Sequence, residues 1–301
     1  MEEFVKKSID RLKLANEMSL THYKRPLVLE YSGGKDSDIL LWLFEQSGIP
    51  FDAHHSLTTV DAPPTVYHIK KTFRRLELKG IKCQINYHKT DNGVLTMWNL
   101  IPSKLMPPTR AVRYCCSDLK ECGDANRMIA TGIRWAESAK RKKRSPFEVL
   151  AKKASESIGV SEEKMLITDN DDTRRLFENC RMKAKTVVNP IIEWTDLNIW
   201  DVIQSENIPV CEMYDWGYER IGCIGCPLAK KCQREREFYD FPKYKEAYIR
   251  AFDHMLDMRR QKKKPTQWTC GEEVFQWWMQ SKDTIGQIDL FDYFKEKEIA
   301  L

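Results

Sequence analysis

No uninterrupted apolar run in the 301-residue chain is longer than residues 39–44, far below the ~20 residues that a membrane-spanning helix requires. No spanning segment is therefore expected. The first twenty residues are charged throughout and lack an apolar core followed by a small-residue cleavage site, which places the expected location in the cytoplasm. A strong charge bias is missing too: 49 Lys and Arg stand against 44 Asp and Glu, a formal net charge of +5, too slight by itself to indicate nucleic acid. There is no internal repeat, no His-x-x-x-His pair, and no Gly-x-x-x-x-Gly-Lys-Ser/Thr spacing of a Walker A loop. Aromatic residues are plentiful, with 9 Trp, 11 Tyr and 12 Phe, which excludes a disordered or low-complexity chain. Ten cysteines are also present, too many to be a disulfide framework in a reducing compartment.

The hydrophobic pattern alternates between two periods. Residues 2–20 suit an amphipathic helix laid on a domain surface. A β-type run at 26–31 leads into the glycine loop 32–37 and an apolar-rich helix over 39–44 that ends near Gly48. Strands are expected at 51–58, 81–87, 127–133 and 187–192, and helices at 64–78 and 195–203, the latter with Thr195 as N-cap and Asp196 in its first turn. The polar stretch from 140 to about 175 reads as an insertion or loop with some helix, and its basic run 140–144 as a solvated face, with phosphate or nucleic-acid contact as the alternative. From residue 235 onward, Phe238, Tyr239, Tyr244, Tyr248, Phe252, Met255 and Leu256 recur at helical spacing. Strands alternating with helices predict an α/β fold, a doubly wound and mainly parallel sheet, with a helical C-terminal region. The expected division is an N-terminal helix at 1–24, a nucleotide-binding domain at 25–207, a cysteine-rich segment at 208–235 and helices over 236–301.

Ser32-Gly33-Gly34-Lys35-Asp36-Ser37 stands between a strand and a helix. There, backbone N–H groups and a helix N-terminus can hold a phosphate, glycines allow close approach, hydroxyls donate and Lys35 adds a point charge. The hexapeptide resembles the PP-loop of the N-type ATP pyrophosphatases, which cleave ATP between the α and β phosphates. Further segments resemble the phosphoadenosine phosphosulfate (PAPS) reductase family of that superfamily: Arg113-Tyr-Cys115-Cys116-Ser-Asp-Leu-Lys120, Gly132-Ile-Arg134-Trp-Ala-Glu137-Ser138-Ala-Lys-Arg141, Asn189-Pro-Ile-Ile-Glu-Trp194 with Trp200-Asp-Val-Ile203, and Tyr218-Glu-Arg220-Ile-Gly-Cys223-Ile-Gly-Cys226-Pro227. The resemblance covers about residues 25–232. It implies an adenine nucleotide on Ser32, Gly33, Gly34, Lys35, Asp36, Ser37, Asp61, Arg113, Lys120, Gly132, Arg134, Glu137 and Ser138. Lys35, Asp36, Arg134 and Arg141 would be catalytic, and Mg2+ would sit on Asp36 or Asp61. His54 and His55 read as structural.

Cys223, Cys226 and Cys232 follow a Cys-x2-Cys-x5-Cys spacing, which suits Zn2+ or an iron–sulfur cluster. Two four-ligand sets compete. Cys115, Cys116, Cys223 and Cys226 resemble the pattern of the iron–sulfur adenylylsulfate reductases. Cys223, Cys226 and Cys232 with Cys116 or Cys211 resemble cluster-bearing sulfur-transfer members such as those of DNA phosphorothioation systems. A [4Fe–4S] cluster is preferred to zinc. Cys83, Cys122 and Cys180 read as ordinary small residues. The reductases' C-terminal nucleophile motif is replaced by Thr269-Cys270-Gly271-Glu272-Glu273, where Thr269 reads as a helix cap, while the glycine loop is intact. Both departures favour an enzyme that releases pyrophosphate from ATP, adenylates an acceptor and serves sulfur transfer, with a cysteine desulfurase-like sulfur-donor protein as the implied partner. The alternatives are a sulfonucleotide reductase that uses Cys270, and a DNA-associated nucleotide-binding subunit whose basic runs at 140–144 and 259–264 touch a nucleic-acid backbone.

Overall fold

In the computed structural model, the described residues are 2–90, 93–120, 126–139, 141–150, 158–160 and 185–280. In chain order, the elements begin α1 (Glu2–Tyr23), β1 (Leu27–Glu30), α2 (Lys35–Ser47), β2 (Phe51–Ser56), α3 (Pro63–Leu78) and β3 (Cys83–Asn86). A short antiparallel pair, β4 (Lys89–Thr90) and β5 (Gly93–Val94), precedes α4 (Met97–Lys104) and α5 (Tyr114–Leu119). Then follow β6 (Met128–Ala130), β7 (Phe147–Leu150), β8 (Ile158–Val160), β9 (Lys185–Val188), α6 (Asp196–Ser205), α7 (Lys231–Asp240), α8 (Pro242–Gln261) and α9 (Gly271–Met279). None of the described helices is long and apolar enough to cross a membrane.

The main sheet runs β3-β2-β1-β6-β9-β7-β8. Its first five strands are parallel, and β7 turns the far edge antiparallel by pairing with both β9 and β8. Successive residues of the central strands face opposite sides. Leu27, Leu29, Met128, Ala130 and Val188 enter one apolar cluster, while Val28, Ile129 and Val187 form another. Both faces of the central strands are thus buried, as a parallel sheet requires. α1 packs along β1, β6 and β9 and against α2, and α2 packs against α6.

The boundaries of several elements differ from the sequence expectation for physical reasons. The segment expected as loop with some helix contributes β7 and β8, because Phe147 and Val149 bury on alternate positions while β7 pairs with β9. β9 ends at Val188 instead of running to 192, because Pro190 has no N–H for a ladder. Thr195 caps α6 as expected, its hydroxyl accepting from the Asn198 amide while the Asn198 side chain returns to the Thr195 amide. At α9 the cap is displaced by one residue. Cys270 holds the N-cap position without a side-chain bond, and the Thr269 amide and hydroxyl both donate to Glu273.

Two compact units are interleaved along the chain. The first holds residues 1–57, 61–88 and 119–222 and contains the whole main sheet. The second holds 58–60, 89–118 and 223–301. Its described helices α4, α7 and α9 pack on α8 around Phe238, Tyr248, Phe252, Phe275 and Trp278, with Tyr248 and Trp278 ring centroids 4.7 Å apart.

Candidate functional site

In the first unit the direction of winding changes at β1, whose neighbours are β2 on one side and β6 on the other. Ligands of open α/β sheets bind beyond the carboxyl ends of strands at such a switch point. Two motif segments leave the sheet there: 32–37 follows β1, and 132–141 follows β6. Gly33 has φ +76°, and a Cβ on it would lie 2.7 Å from Ile69 Cγ1 and 3.1 Å from Thr65 Cγ2. Backbone conformation and the closeness of α3 both demand glycine. Gly132 supports the same loop from β6, where a Cβ would stand 3.3 Å from the backbone and Cβ of Asp36.

α2 begins at Lys35 behind Gly34, whose position provides no side-chain cap. The Lys35 amide donates to the Tyr214 hydroxyl at 2.9 Å, so a neutral oxygen occupies one of the donor positions that helix starts offer to anions. Ser37 Oγ donates to the Gly34 carbonyl at 2.8 Å and Ser32 Oγ to Ser37 Oγ at 3.3 Å, which closes the loop on itself. Beneath it lies a buried polar network. Tyr31 Oη donates to Asp38 Oδ1 at 2.5 Å, and His68 Nε2 is 2.9 Å from the same oxygen. Burial pushes the Asp38 carboxyl above its ordinary range against the pull of His68, and pushes the Tyr31 phenol up as well. His55 bonds the Tyr31 carbonyl through Nδ1 at 2.9 Å, and burial lowers its pKa despite the nearby Asp61.

Arg134, expected as a catalytic residue, is bonded to acceptors of its own chain. Arg134 is only 1% exposed. Its Nε donates to Asp36 Oδ1 at 2.6 Å, Nη2 to Asp196 Oδ1 at 2.9 Å and Nη1 to the Trp194 carbonyl at 3.2 Å. Lys35 Nζ lies between the same carboxylates, 3.5 Å from Asp36 and 3.4 Å from Asp196. Two cations and two carboxylates thus form a neutral quartet that ties α2, the 134 turn and α6 together. Arg141 pairs with Glu137, which also accepts from the Arg134 amide at 3.0 Å. Burial and then the Arg220 charge lower the Arg141 pKa, with Asp36 opposing them. Arg144 donates to Glu148 at 2.7 Å, so the basic run is partly tied down; Lys140 lies outside the described residues. Ser138 accepts from the Arg141 amide at 3.3 Å, Asp61 is buried, Lys120 is exposed, and Arg113 belongs to the second unit.

Asp196 and Tyr214 were not singled out as site residues. The Thr-Asp pair opening α6 gave a signal for Asp196, whereas Tyr214 sits in an irregular turn with no motif around it. Although desolvation works the other way, the Arg134 hydrogen bond and charge, helped by Lys35, hold the Asp196 carboxyl below its ordinary range. Such a carboxylate contributes stability above its unfolded pKa and loses it as pH falls through the depressed folded value. Asp196→Asn is therefore expected to flatten the acid limb of the stability curve, read as denaturant midpoint between about pH 5 and pH 2.

Four of the expected cysteine ligands belong to the second unit. Cys115 and Cys116 lie on α5, and Cys223 and Cys226 bracket a turn closed by the Cys226 amide on the Cys223 carbonyl at 3.2 Å. The Cys115 thiol is pushed up by its hydrogen bond with Cys116, then by burial, with Cys116, Cys223 and Cys226 adding to the effect. These four thiols are electrostatic neighbours and a soft donor set of the kind that takes iron–sulfur clusters or zinc. Among the described residues, no group of three or more His, Cys, Asp and Glu side chains already stands in a metal-holding arrangement. Cys232 is exposed on the first turn of α7. Cys211 is buried in the first unit with its thiol 3.9 Å from Thr65 Oγ1. Cys270 is exposed, burial pushes Cys83 up to about 12, and Cys122 and Cys180 lie outside the described residues.

An uncharacterized protein of Methanocaldococcus jannaschii is 23% identical over 235 residues, 75% of this chain and 41% of its own length. A second from that organism is 23% identical over 86% of this chain and 56% of its own; the chain spans about half the length of these curated relatives. The adenosine 5'-phosphosulfate reductase of Oceanobacillus iheyensis is 46% identical over 51 residues, 17% of this chain and 21% of that one. Similar solved structures include the PAPS reductase of Candida auris (TM-score 0.43, 14% identity, 74% of this chain and 93% of that one). Another is the U34-tRNA thiolase NcsA of Methanococcus maripaludis with its [4Fe–4S] cluster (TM-score 0.45, 14% identity, 88% and 82%). The family model of the phosphoadenosine phosphosulfate reductase domain matches residues 26–229, and the chain belongs to that family.

Proposed function

We propose that this chain is a cytoplasmic enzyme that binds Mg-ATP on the 32–37 loop and transfers AMP to an acceptor oxygen, with release of pyrophosphate, in the service of sulfur transfer. The observation that carries the proposal is the intact glycine loop at the switch point, closed from both sides by Gly33 on α3 and Gly132 on Asp36. In the reaction the acceptor oxygen attacks the α-phosphorus and gives up its proton. The bond to the α,β-bridging oxygen breaks, and the electron pair leaves with pyrophosphate. Backbone donors at the start of α2 would stabilise the charge that develops. Tyr214 would surrender the Lys35 amide to a phosphate oxygen. Asp36 and Asp196 offer hard oxygen donors to Mg2+, and a metal taken there would free Lys35 from its two carboxylates for the polyphosphate. Arg134 acts as a positioning residue that holds both carboxylates in place.

Cys115, Cys116, Cys223 and Cys226 would hold a [4Fe–4S] cluster, which supplies sulfur ligation or electron relay when bound. The cysteine group supports a partner that delivers sulfur, such as a cysteine desulfurase-like protein. Anaerobically reconstituted protein is expected to carry iron and sulfide and a visible charge-transfer band, which Cys226→Ser removes. Stoichiometric zinc in a colourless protein would contradict the cluster. Run in parallel, Mg-ATP is expected to yield pyrophosphate in the presence of an acceptor extract, and adenylylsulfate with a dithiol to yield no sulfite. Sulfite release that disappears in Cys270→Ser would install the reductase reading instead. The DNA-associated reading finds less support, because Arg259 is buried with its guanidinium on the Leu105 carbonyl at 2.7 Å and Arg260 pairs with Asp257.

A further inference from the structure

The first turn of α2 is capped from a distant part of the chain. Gly34 stands at the N-cap and has no side chain to offer, so the Lys35 amide needs an acceptor from elsewhere. It donates to the hydroxyl of Tyr214 at 2.9 Å, 179 residues away. A Cβ on Gly34 would stand 3.5 Å from that hydroxyl and 3.8 Å from Ser32 Oγ, which places the Tyr214 oxygen over the glycine loop itself. Burial raises the Tyr214 phenol pKa, with the Lys35 bond opposing, and the group stays neutral. For an amide donor a neutral hydroxyl is a weaker acceptor than a phosphate oxyanion, whose charge-assisted bond is roughly twice as strong.

The segment that carries this oxygen is held in a way that lets it leave. Tyr214 ends the single turn 212–214, which packs on α3. Thr65 of α3 has its Oγ1 3.9 Å from Cys211 Sγ and 3.6 Å from Met213 Sδ, and hydrogen bonding to sulfur is weak. The Tyr214 ring meets Trp200 of α6 edge-on, with centroids 5.3 Å apart. On either side of the turn's end, Glu212 and Asp215 are exposed. Thr65 also reaches the loop, its Cγ2 standing 3.1 Å from the Cβ position of Gly33, so turn, α3 and loop meet at one residue.

We propose that Tyr214 is a resident competitor for the phosphate position of the 32–37 loop: its hydroxyl holds the Lys35 amide while the loop is empty, yields it to a phosphate oxygen, and takes it back as pyrophosphate leaves. The proposal deepens the reading of this loop as the Mg-ATP site and rests on it. A side chain cap at position 34 would block the helix start permanently, whereas a cap supplied by a separate turn can be displaced. The sign of the effect follows. Removing the hydroxyl takes a partner away from the empty loop and nothing from the occupied one, so ligand binding tightens.

The test titrates inorganic pyrophosphate with Mg2+, and Mg-ATP separately, into the full chain by calorimetry. Tyr214→Phe is expected to bind pyrophosphate about threefold to tenfold more tightly than the wild type, the range for one neutral hydrogen bond removed from the competing state. A merely structural contact would act in the opposite direction, because its loss loosens the loop. Unchanged or weaker binding in a folded Tyr214→Phe overturns the proposal and leaves the loop reading standing. Wild-type protein that binds neither pyrophosphate nor Mg-ATP overturns both. Should Tyr214→Phe not fold, hydrogen exchange of the wild type serves in its place. Pyrophosphate is expected to slow exchange over 33–38 and to speed it at the amides of Tyr214, Gly217 and Tyr218, which bond the Cys211, Tyr214 and Met213 carbonyls at 3.1, 2.9 and 3.1 Å. Slower exchange over 33–38 with no change at those three amides overturns the proposal.

Discussion

Gly33→Ala is expected to abolish measurable Mg-ATP binding and to lower stability by about 2–4 kcal/mol, the sum of a left-handed backbone conformation and an overpacked contact. Both terms follow from geometry. Gly33 has φ +76°, and the added Cβ would meet Ile69 Cγ1 at 2.7 Å and Cδ1 at 3.0 Å. Ile69 is a fully packed core residue of α3, so relief would come from moving the loop itself. Gly80 separates the terms, because its φ of +80° is similar while nothing lies within 4 Å of its Cβ position. Gly80→Ala should therefore lose only about 1–2 kcal/mol and keep full nucleotide affinity. Denaturant midpoints and equilibrium dialysis with ATP and Mg2+ distinguish the two. Equal losses in the two variants would show that α3 does not brace the loop.

The second large effect is expected at Arg134. Removing a buried partner strands the charges around it, and Arg134→Met would leave Asp36 and Asp196 facing each other with Lys35 as the remaining cation in the quartet. Because Asp196 is two-thirds exposed and water can compensate for part of the loss, the expected destabilisation is about 2 kcal/mol, below the range for a fully buried pair. The larger consequence is functional. Without the guanidinium fork the two carboxylates lose their fixed orientation, and both Mg2+ dependence and nucleotide affinity should weaken at least tenfold. Arg134→Lys should rescue stability in part but not affinity, since one ammonium cannot reproduce three donors directed at Asp36, Asp196 and the Trp194 carbonyl. Isothermal titration with Mg-ATP reads the affinity. Unchanged affinity in either variant would make Arg134 a purely structural residue.

What the sequence made legible was local and periodic. The strand-loop-helix around residues 27–47 could be read from an apolar run, two glycines and the helical spacing that follows. The cap at Thr195 was readable because its partner Asn198 lies three residues on. The antiparallel edge was not, since Phe147 and Val149 become a strand only by pairing with β9, far along the chain. For the site, residue identity was legible and charge state was not. Arg134 was legible as a cation beside the loop, whereas its bond to Asp36, 98 residues away and 2.6 Å from its Nε, was not. Tyr214 carried no signal at all, because its role is a single hydroxyl placed on the Lys35 amide. The motif resemblance left two cysteine sets open, and their distribution over two distant stretches of chain, 115–116 and 223–226, gives no local periodicity that could choose between them.

The most direct measurement of the central claim follows the fate of ATP labelled with 32P at the α-phosphate. Wild-type chain, purified without oxygen and incubated with Mg2+ and an acceptor extract, is predicted to place the label in AMP or an adenylated acceptor, with unlabelled pyrophosphate formed in equal amount. Both products should vanish in Gly33→Ala. Label recovered in ADP, or AMP formation that survives in Gly33→Ala, would contradict the assignment of the 32–37 loop as the site of α,β cleavage.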